Sequence, residues 1–314
     1  MDKKNSKIRV KMQINNNKFL LIDLSYYIFY RYHAILLWYN KAYPDKVKDL
    51  SKENFQYNLQ NINDEIDFTL LDKYKTIFIK KIGELCKQYG VNKSRVILAK
   101  DCPRNTIWRH NHHNKYKANR QNTAVVSKND NTNRYQYNNE IFTYTYNNIL
   151  PELKTAGYNI ISAKSAEADD IIAVAKKYIR DKDIGAEIVI ITNDNDYIQL
   201  TDRHTQIYNL KNKNLADILE KDDMTPDEYL TMKVLLGDIS DNIISVFKQA
   251  GMRSPAKSKL YSMIKADNSD ILDKYIADNN ILDKYNENRR MIDFNYIPDN
   301  IQKEIISAIK PIID

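Results

Sequence analysis

The sequence predicts an α/β protein with a mostly parallel central sheet flanked by helices, and three observations carry that prediction. Short aliphatic runs recur at Phe19-Leu20-Leu21-Ile22, Val96-Ile97-Leu98-Ala99 and Ile188-Val189-Ile190-Ile191, the continuous apolar pattern of strands covered on both faces. A further strand, Tyr158-Asn159-Ile160-Ile161, leads through Ser165 into the amphipathic helix that begins at Glu167-Ala168-Asp169-Asp170. Finally, an acid stands at the exit of each of the three aliphatic runs: Asp23, Asp101 and Asp194. Ligands of open α/β sheets bind outside the carboxyl ends of the strands, where these acids project.

Taken in chain order, the first strand ends at Asp23 and the second at Asp101. Helical periodicity after the next strand places Glu167 and Asp170 on one face with Asp169 beside them. A first-turn acid is also what the helix dipole favours, so this cluster gains meaning only beside the strand-end acids. Two more clusters follow, Asp194-Asn195-Asp196 and Gly237-Asp238-Ile239-Ser240-Asp241. Carboxylates crowded together cannot all stay ionised at neutral pH without cations. Oxygen ligands without Cys or His favour Mg²⁺ or Mn²⁺ over zinc.

The chain of 314 residues is long enough for one large α/β domain with appendages. Its 48 Lys and Arg against 41 Asp and Glu give a formal charge of +7. Since an acidic site absorbs negatives, the excess cations must lie on another face, suited to a polyanion. Only six glycines occur, and none forms a G-x-x-x-x-G-K loop or a G-x-G-x-x-G turn, which argues against ATP or dinucleotide binding by those devices. Two cysteines, Cys86 and Cys102, suit an intracellular, reducing compartment. The most apolar stretch, Phe19 to Trp38, is broken by Asp23 and Arg31, so no membrane association is expected.

Between Asp101 and the later acids lies a block in which cations alternate with aromatics, Arg104 to Arg120. Lys and Arg hold phosphates while Trp or Tyr stacks on bases, so Arg104, Trp108, Arg109 and Lys115 are expected on a nucleic-acid face. A solvated basic loop has the same composition. His110, His112 and His113 lack a Cys at ligand spacing and are not expected to bind zinc.

This block, Trp108-Arg109-His110 through Tyr116-Lys117-Ala118-Asn119-Arg120, resembles the F-R-H-E-x-x-x-x-Y-K-A-N-R signature of the 5′-nuclease domain of bacterial DNA polymerase I and the flap-endonuclease family. The other motifs occur in the family's order: Asp23, Asp101, E-A-D-D, then T-N-D-N-D-Y-I-Q-L for S-x-D-x-D-x-x-Q-L, then G-D-I-S-D-N-I for G-D-x-x-D-N-I. The tail Met291 to Ile301 is further similar to the C-terminal region of the T-even phage RNase H type. The resemblance implies a PIN-like 5′-nuclease fold, with an α/β core over 1–240 that includes a helical arch at about 103–145, and a helical duplex-binding region over 241–314. It implies a first metal site from Asp23, Asp101, Glu167, Asp169 and Asp194, and a second built or supported by Asp170, Asp196, Asp238 and Asp241. Two Mg²⁺ ions, with Mn²⁺ as a substitute, would serve two-metal hydrolysis. Tyr116, Lys117 and Arg120 match the part of the arch that receives the 5′ end. The implied substrates are DNA with 5′ ends, flaps or nicks, and RNA in RNA–DNA hybrids. A monomer working beside replication proteins is the expected setting.

Three departures stand out. The family's glycine-containing helix-hairpin-helix, often with a bound K⁺, is reduced after Val246 to one glycine and the cations Lys248, Arg253, Lys257 and Lys259. Residues 43–72 look like an insertion, and Asn111 replaces the Glu of the arch signature. Two other functions compete. A PIN-type ribonuclease is normally shorter and lacks the arch and the G-D-x-x-D element. A non-catalytic junction-binding protein is expected to have lost acids, and none is missing here.

Overall fold

A computed structural model describes residues 17–42, 65–118, 139–265 and 270–314. The middle of the arch (119–138), with Arg120, lies outside the described residues, as does 43–64 of the insertion; residues 65–72 open a helix. The sheet has five strands: β1 (Lys18–Asp23), β2 (Val96–Ala99), β3 (Asn159–Ile161), β4 (Glu187–Ile191) and β5 (Thr205–Tyr208), in the order β3-β2-β1-β4-β5. All pairs are parallel. The four expected strands are present. β5 was not expected from the sequence, because Thr-Gln-Ile-Tyr is a short edge strand with a single aliphatic residue.

Strand alternation sorts β1 between two helical layers. Leu20 and Ile22 pack on α1 (Leu24–Ala42) and α2 (Glu65–Tyr89), together with α3 (Asn139–Tyr144) and α4 (Leu150–Thr155). Phe19 and Leu21 point the other way, onto α5 (Ala168–Lys182). Every aliphatic residue from Leu20 to Ile22 is fully buried, which is why the run shows no polar alternation. The winding reverses at β1, and the crevice between the ends of β1 and β4 is the topological switch point.

Beyond β5, α6 (Asp217–Lys221) leads to α7 (Pro226–Leu236), which opens with the side chains of Thr225 and Glu228 each accepting the other's backbone N–H and Pro226 in the first turn. Two short helices follow, α8 (Val246–Gln249) and α9 (Lys257–Ile264). The one glycine kept in this hairpin, Gly251, sits in the left-handed region (φ 67°) just past α8. Then come α10 (Asp270–Asp278), α11 (Leu282–Ile292) and α12 (Asp299–Ile313). Ile301, Ile305 and Ile309 of α12 join the same buried cluster as Leu21 and Ile97 of the sheet. Arg95 donates to the carbonyls of Ile312 (2.8 Å) and Ile313 (3.3 Å), tying the end of α12 to the start of β2. Among the described residues no helix is long and apolar enough to cross a membrane.

Gly237 ends α7 and starts the loop that carries Asp238 and Asp241. Its φ of 72° lies in the left-handed region, and a Cβ there would come 2.4 Å from the Ile243 carbonyl oxygen. The close approach exists because Asp238 and Ile243 exchange both backbone hydrogen bonds, at 2.8 and 2.7 Å, closing the loop on itself. Gly237→Ala is expected to lower stability by about 1–3 kcal/mol from backbone strain alone, with more from the clash. Chemical denaturation checks this, and a wild-type midpoint would show that the loop opens without cost.

Candidate metal centre

The strand order brings Asp23 and Asp101 together, since Asp23 pairs in register with Ala99. Asp23 Oδ1 accepts the Tyr26 N–H at 3.0 Å, which caps the start of α1. Its Oδ2 accepts from Thr192 Oγ1 (3.2 Å) and Tyr197 OH (3.4 Å), both just beyond β4. Asp101 Oδ1 accepts from the Ala168 N–H (2.7 Å) at the head of α5, and Ser25 Oγ donates to its Oδ2. The first acid of each strand thus reaches across to the element that carries the next.

The cluster at α5 is organised by one buried cation. Arg109 is 2% exposed; its Nη1 lies 2.9 Å from Glu167 Oε2 and 3.1 Å from Asp170 Oδ2, and its Nη2 lies 2.9 Å from Asp170 Oδ1. Asp169 Oδ1 stands 3.7 Å from Nη1. Trp108 Nε1 donates to Asp170 Oδ2 at 3.0 Å, and the same oxygen accepts from the Glu167 N–H at 2.9 Å. Glu167, Asp169 and Asp170 are close enough for one ligand atom from each to meet on an ion. Asp170 is fully buried with Arg109 and Trp108 on its oxygens, so geometry favours it as the support behind Glu167 and Asp169 rather than a front ligand.

On the opposite wall, Asp194 caps the 3₁₀ turn Asn195–Leu200 by accepting from the Asp196 N–H (2.9 Å). Lys233, from the last turn of α7, sends its ammonium to both Asp196 and Asp238 (3.0 Å to the latter). The Asp238–Asp241 loop meets the base of the arch: the Lys117 N–H donates to the Asp241 carbonyl (3.0 Å), and Asn242 Nδ2 to the Lys115 carbonyl (2.9 Å). Lys117 holds a left-handed backbone (φ 56°), rare for a residue with a Cβ, and its ammonium is shared by Glu167 and Asp241. Tyr116 OH lies 3.0 Å from Glu167 Oε2 and from Asp241 Oδ2.

Burial and mutual repulsion push the front acids up. Asp23 rises to about 7 through burial, with Asp101 and Asp194 adding charge nearby. Burial likewise raises Asp101 and Asp169. Glu167 moves the other way: burial opposes it, but Lys117 and Arg109 outweigh that and hold it near 2.

Several expectations need correction. Trp108, Arg109 and Tyr116 are 4%, 2% and 3% exposed and offer no face to a nucleic acid; their polar atoms are spent on Glu167, Asp170 and Asp241. Alternating cations and aromatics describe a carboxylate-holding core as well as a strand-binding groove, and only burial tells them apart. Arg104 is exposed but donates to the Lys117 carbonyl, bracing the arch base. Lys115, Lys248, Arg253, Lys257 and Lys259 are exposed, with Lys257 paired to Asp222 at 3.0 Å. The sequence reasoning missed Lys233, Ser25, Thr192 and Tyr197. Lys233 lies little more than one helical turn before Asp238, a spacing that signals a shared helix end but not a shared partner.

The sequence matches the 5′-3′ exonuclease, N-terminal resolvase-like domain, over residues 18–229, and the C-terminal domain of T4 RNase H over 225–311. The chain therefore belongs to the 5′-3′ exonuclease family. Among individual relatives, it is 27% identical to ribonuclease H of Enterobacteria phage T4 over 225 residues, 68% of this chain and 69% of that one. It is 37% identical to DNA polymerase I of Lactococcus lactis subsp. cremoris over 90 residues, 26% of this chain, and spans about a tenth of the length of such polymerases (10%). Its fold superposes on bacteriophage T5 5′-exonuclease with zinc ions bound, at a TM-score of 0.63 and 17% identity, covering 95% of this chain and 100% of that one. A T5 D15 flap endonuclease variant in complex with DNA and metal ions superposes at 0.62 with 16% identity, covering 94% and 99%.

Two outcomes follow from the electrostatics. Arg109→Met strips the buried Asp170 of its cation and leaves Glu167 with Lys117 alone, and is expected to cost ~3–5 kcal/mol, as broken buried pairs do, with the loss read from urea unfolding. Asp23 is protonated in the folded chain up to about pH 7 but ionises near its ordinary value when unfolded. The folded state therefore binds more protons between those values, and stability falls as pH rises through about 7. In EDTA the thermal midpoint should be higher at pH 6 than at pH 8, and Mg²⁺ should narrow the gap; a flat profile would mean the acids are already neutralised.

Proposed function

We propose that the chain is a structure-specific 5′ nuclease that hydrolyses phosphodiester bonds at the 5′ ends, flaps or nicks of DNA, with RNA in hybrids as a further substrate. The observation that carries this reading is the cluster of Glu167, Asp169 and Asp170, close enough to share an ion, with Asp101 and Asp194 near enough to repel Asp23, Lys117 joining Glu167 to Asp241 and Lys233 joining Asp196 to Asp238. Family membership and the relatives' activities support it. A non-catalytic junction binder needs no such set of acids.

The donor set fits hard divalent cations: every ligand is a carboxylate, and burial, with like charge nearby, raises Asp23, Asp101 and Asp169, so that a cation bound there would favour their ionised forms. Asp23, Asp101, Glu167, Asp169 and Asp194 would hold one Mg²⁺; Asp196, Asp238 and Asp241, with Asp170 behind, would hold or support the second. Bound there, such ions supply an acidified water and neutralise charge on the phosphate and the leaving oxygen. The chain's own part is positioning. Lys117, fixed by its backbone turn and by Glu167 and Asp241, faces the crevice and can donate to a phosphoryl oxygen as charge develops. Tyr116 links Glu167 to Asp241 and so keeps the two walls in register. Thr192 and Tyr197 orient the Asp23 carboxylate. Arg120, which lies outside the described residues, keeps the role on the 5′ end that the resemblance implies, and exposed Lys248, Arg253, Lys257 and Lys259 would contact duplex phosphates.

Asp101→Asn and Asp169→Asn are expected to abolish Mg²⁺-dependent cleavage of a labelled 5′ flap while leaving DNA affinity intact or tighter, since each removes a ligand and a negative charge. Near-wild-type turnover in either would sink the metal assignment. Lys117→Ala should lower the single-turnover rate far more than affinity; loss of affinity alone would reduce Lys117 to general basic surface. Parallel assays on nicked duplex and on RNA–DNA hybrid decide the substrate range.

A further inference from the structure

The three acid clusters sit on three separate elements, yet each is linked through a neighbouring residue to the same short stretch around the end of α11, Asn288 to Phe294. Arg109, whose fork grips Glu167 and Asp170, donates its Nε to the Met291 carbonyl at 3.0 Å. Gln199, at the end of the turn that begins at Asp194, donates its Nε2 to the Asp196 carbonyl (2.8 Å) and the Ile292 carbonyl (3.1 Å), and its Oε1 accepts the Phe294 N–H (3.0 Å). Asn288, fully buried, donates its Nδ2 to the Val234 and Ile244 carbonyls, both at 3.0 Å, bracketing the loop that carries Asp238 and Asp241. The side chains of Met291 and Ile292 pack with Ile107, Tyr116, Val234 and Ile243, so the same stretch also backs the arch base and that loop.

We infer that the Asn288–Phe294 turn is the common anchor that sets the spacing of the acid clusters, and that Gln199 and Asn288 are positioning residues for divalent-metal binding. The inference rests on the metal-dependent nuclease reading above. Its physical basis is that carboxylates which repel one another drift apart unless each is tied to a shared rigid reference. Here each tie joins a buried or half-buried polar side chain to backbone groups, which cannot rotate away. The C-terminal module would then contribute to the metal centre itself, through a segment that carries no ligand.

The test uses the full chain and two variants. Gln199→Met keeps length and removes the three hydrogen bonds; Asn288→Ala removes the bracket on the loop. Mn²⁺ binding is titrated without DNA by electron paramagnetic resonance, alongside thermal unfolding and flap cleavage against Mg²⁺ concentration. Removing groups that orient metal ligands typically costs 10–100-fold in metal affinity, so Gln199→Met is expected to weaken Mn²⁺ binding at least about tenfold. The Mg²⁺ concentration for half-maximal cleavage should rise in parallel, the rate should recover at saturating Mg²⁺, and KM for the flap should stay unchanged. Unchanged Mn²⁺ affinity and Mg²⁺ dependence with only a lowered unfolding midpoint would overturn the inference, leaving Gln199 a stabilising residue. If Asn288→Ala does not fold, Gln199→Met decides alone. A wild-type chain that binds no Mn²⁺ would overturn the nuclease reading instead, which separates the two failures.

Discussion

Repulsion between carboxylates is the constraint that the rest of the structure answers. A parallel sheet delivers strand ends to one edge, and the reversal of winding at β1 opens a crevice there. Asp23, Asp101 and the head of α5 are held at that edge by backbone pairing, not by any attraction between them. Burial first and repulsion second raise Asp23, Asp101 and Asp169, while Glu167, with two cations at hand, stays ionised. Folding supplies the cohesion that electrostatics withholds.

Two kinds of cation answer the repulsion. Arg109 is buried, planar and permanently charged, and its fork spans two carboxylates while its third nitrogen reaches a backbone carbonyl. A lysine could not make that set of bonds, because its single ammonium cannot hold two acids and a carbonyl in fixed directions. Lys117 and Lys233 are point charges on flexible stems, each shared between acids from different elements. The first kind fixes geometry; the second can shift toward a phosphate without dismantling the site.

Much of this was legible in the sequence, for a definable reason. Acids at the ends of aliphatic runs report buried strands and the edge at which they end, so the positions of Asp23, Asp101 and Asp194 could be read from the sequence. The same logic placed Glu167 to Asp170 at a helix start. Partner choice was not legible. Trp108, Arg109 and Tyr116 read as a nucleic-acid face because composition gives residue types without depth, and Lys233 was silent because nothing in the sequence shows that it joins the nearby Asp238 to the distant Asp196. β5 escaped because a single isoleucine between polar neighbours carries no strand pattern, and its place is set by pairing with β4.

The least legible feature is also the one with the widest reach. Asn288 shows no motif, and Met291 and Ile292, though they open the stretch similar to the T-even phage RNase H type, act through carbonyls that every residue possesses. What singles them out is that Arg109, Gln199 and Asn288 converge there from both directions. A ligand set can be read from acids at strand ends, but its spacing is set to fractions of an ångström by contacts of this kind. Spacing decides whether one ion can satisfy several carboxylates at once. The division of labour is therefore physical: acids near the strand ends define what can bind, and a remote helix end defines how well.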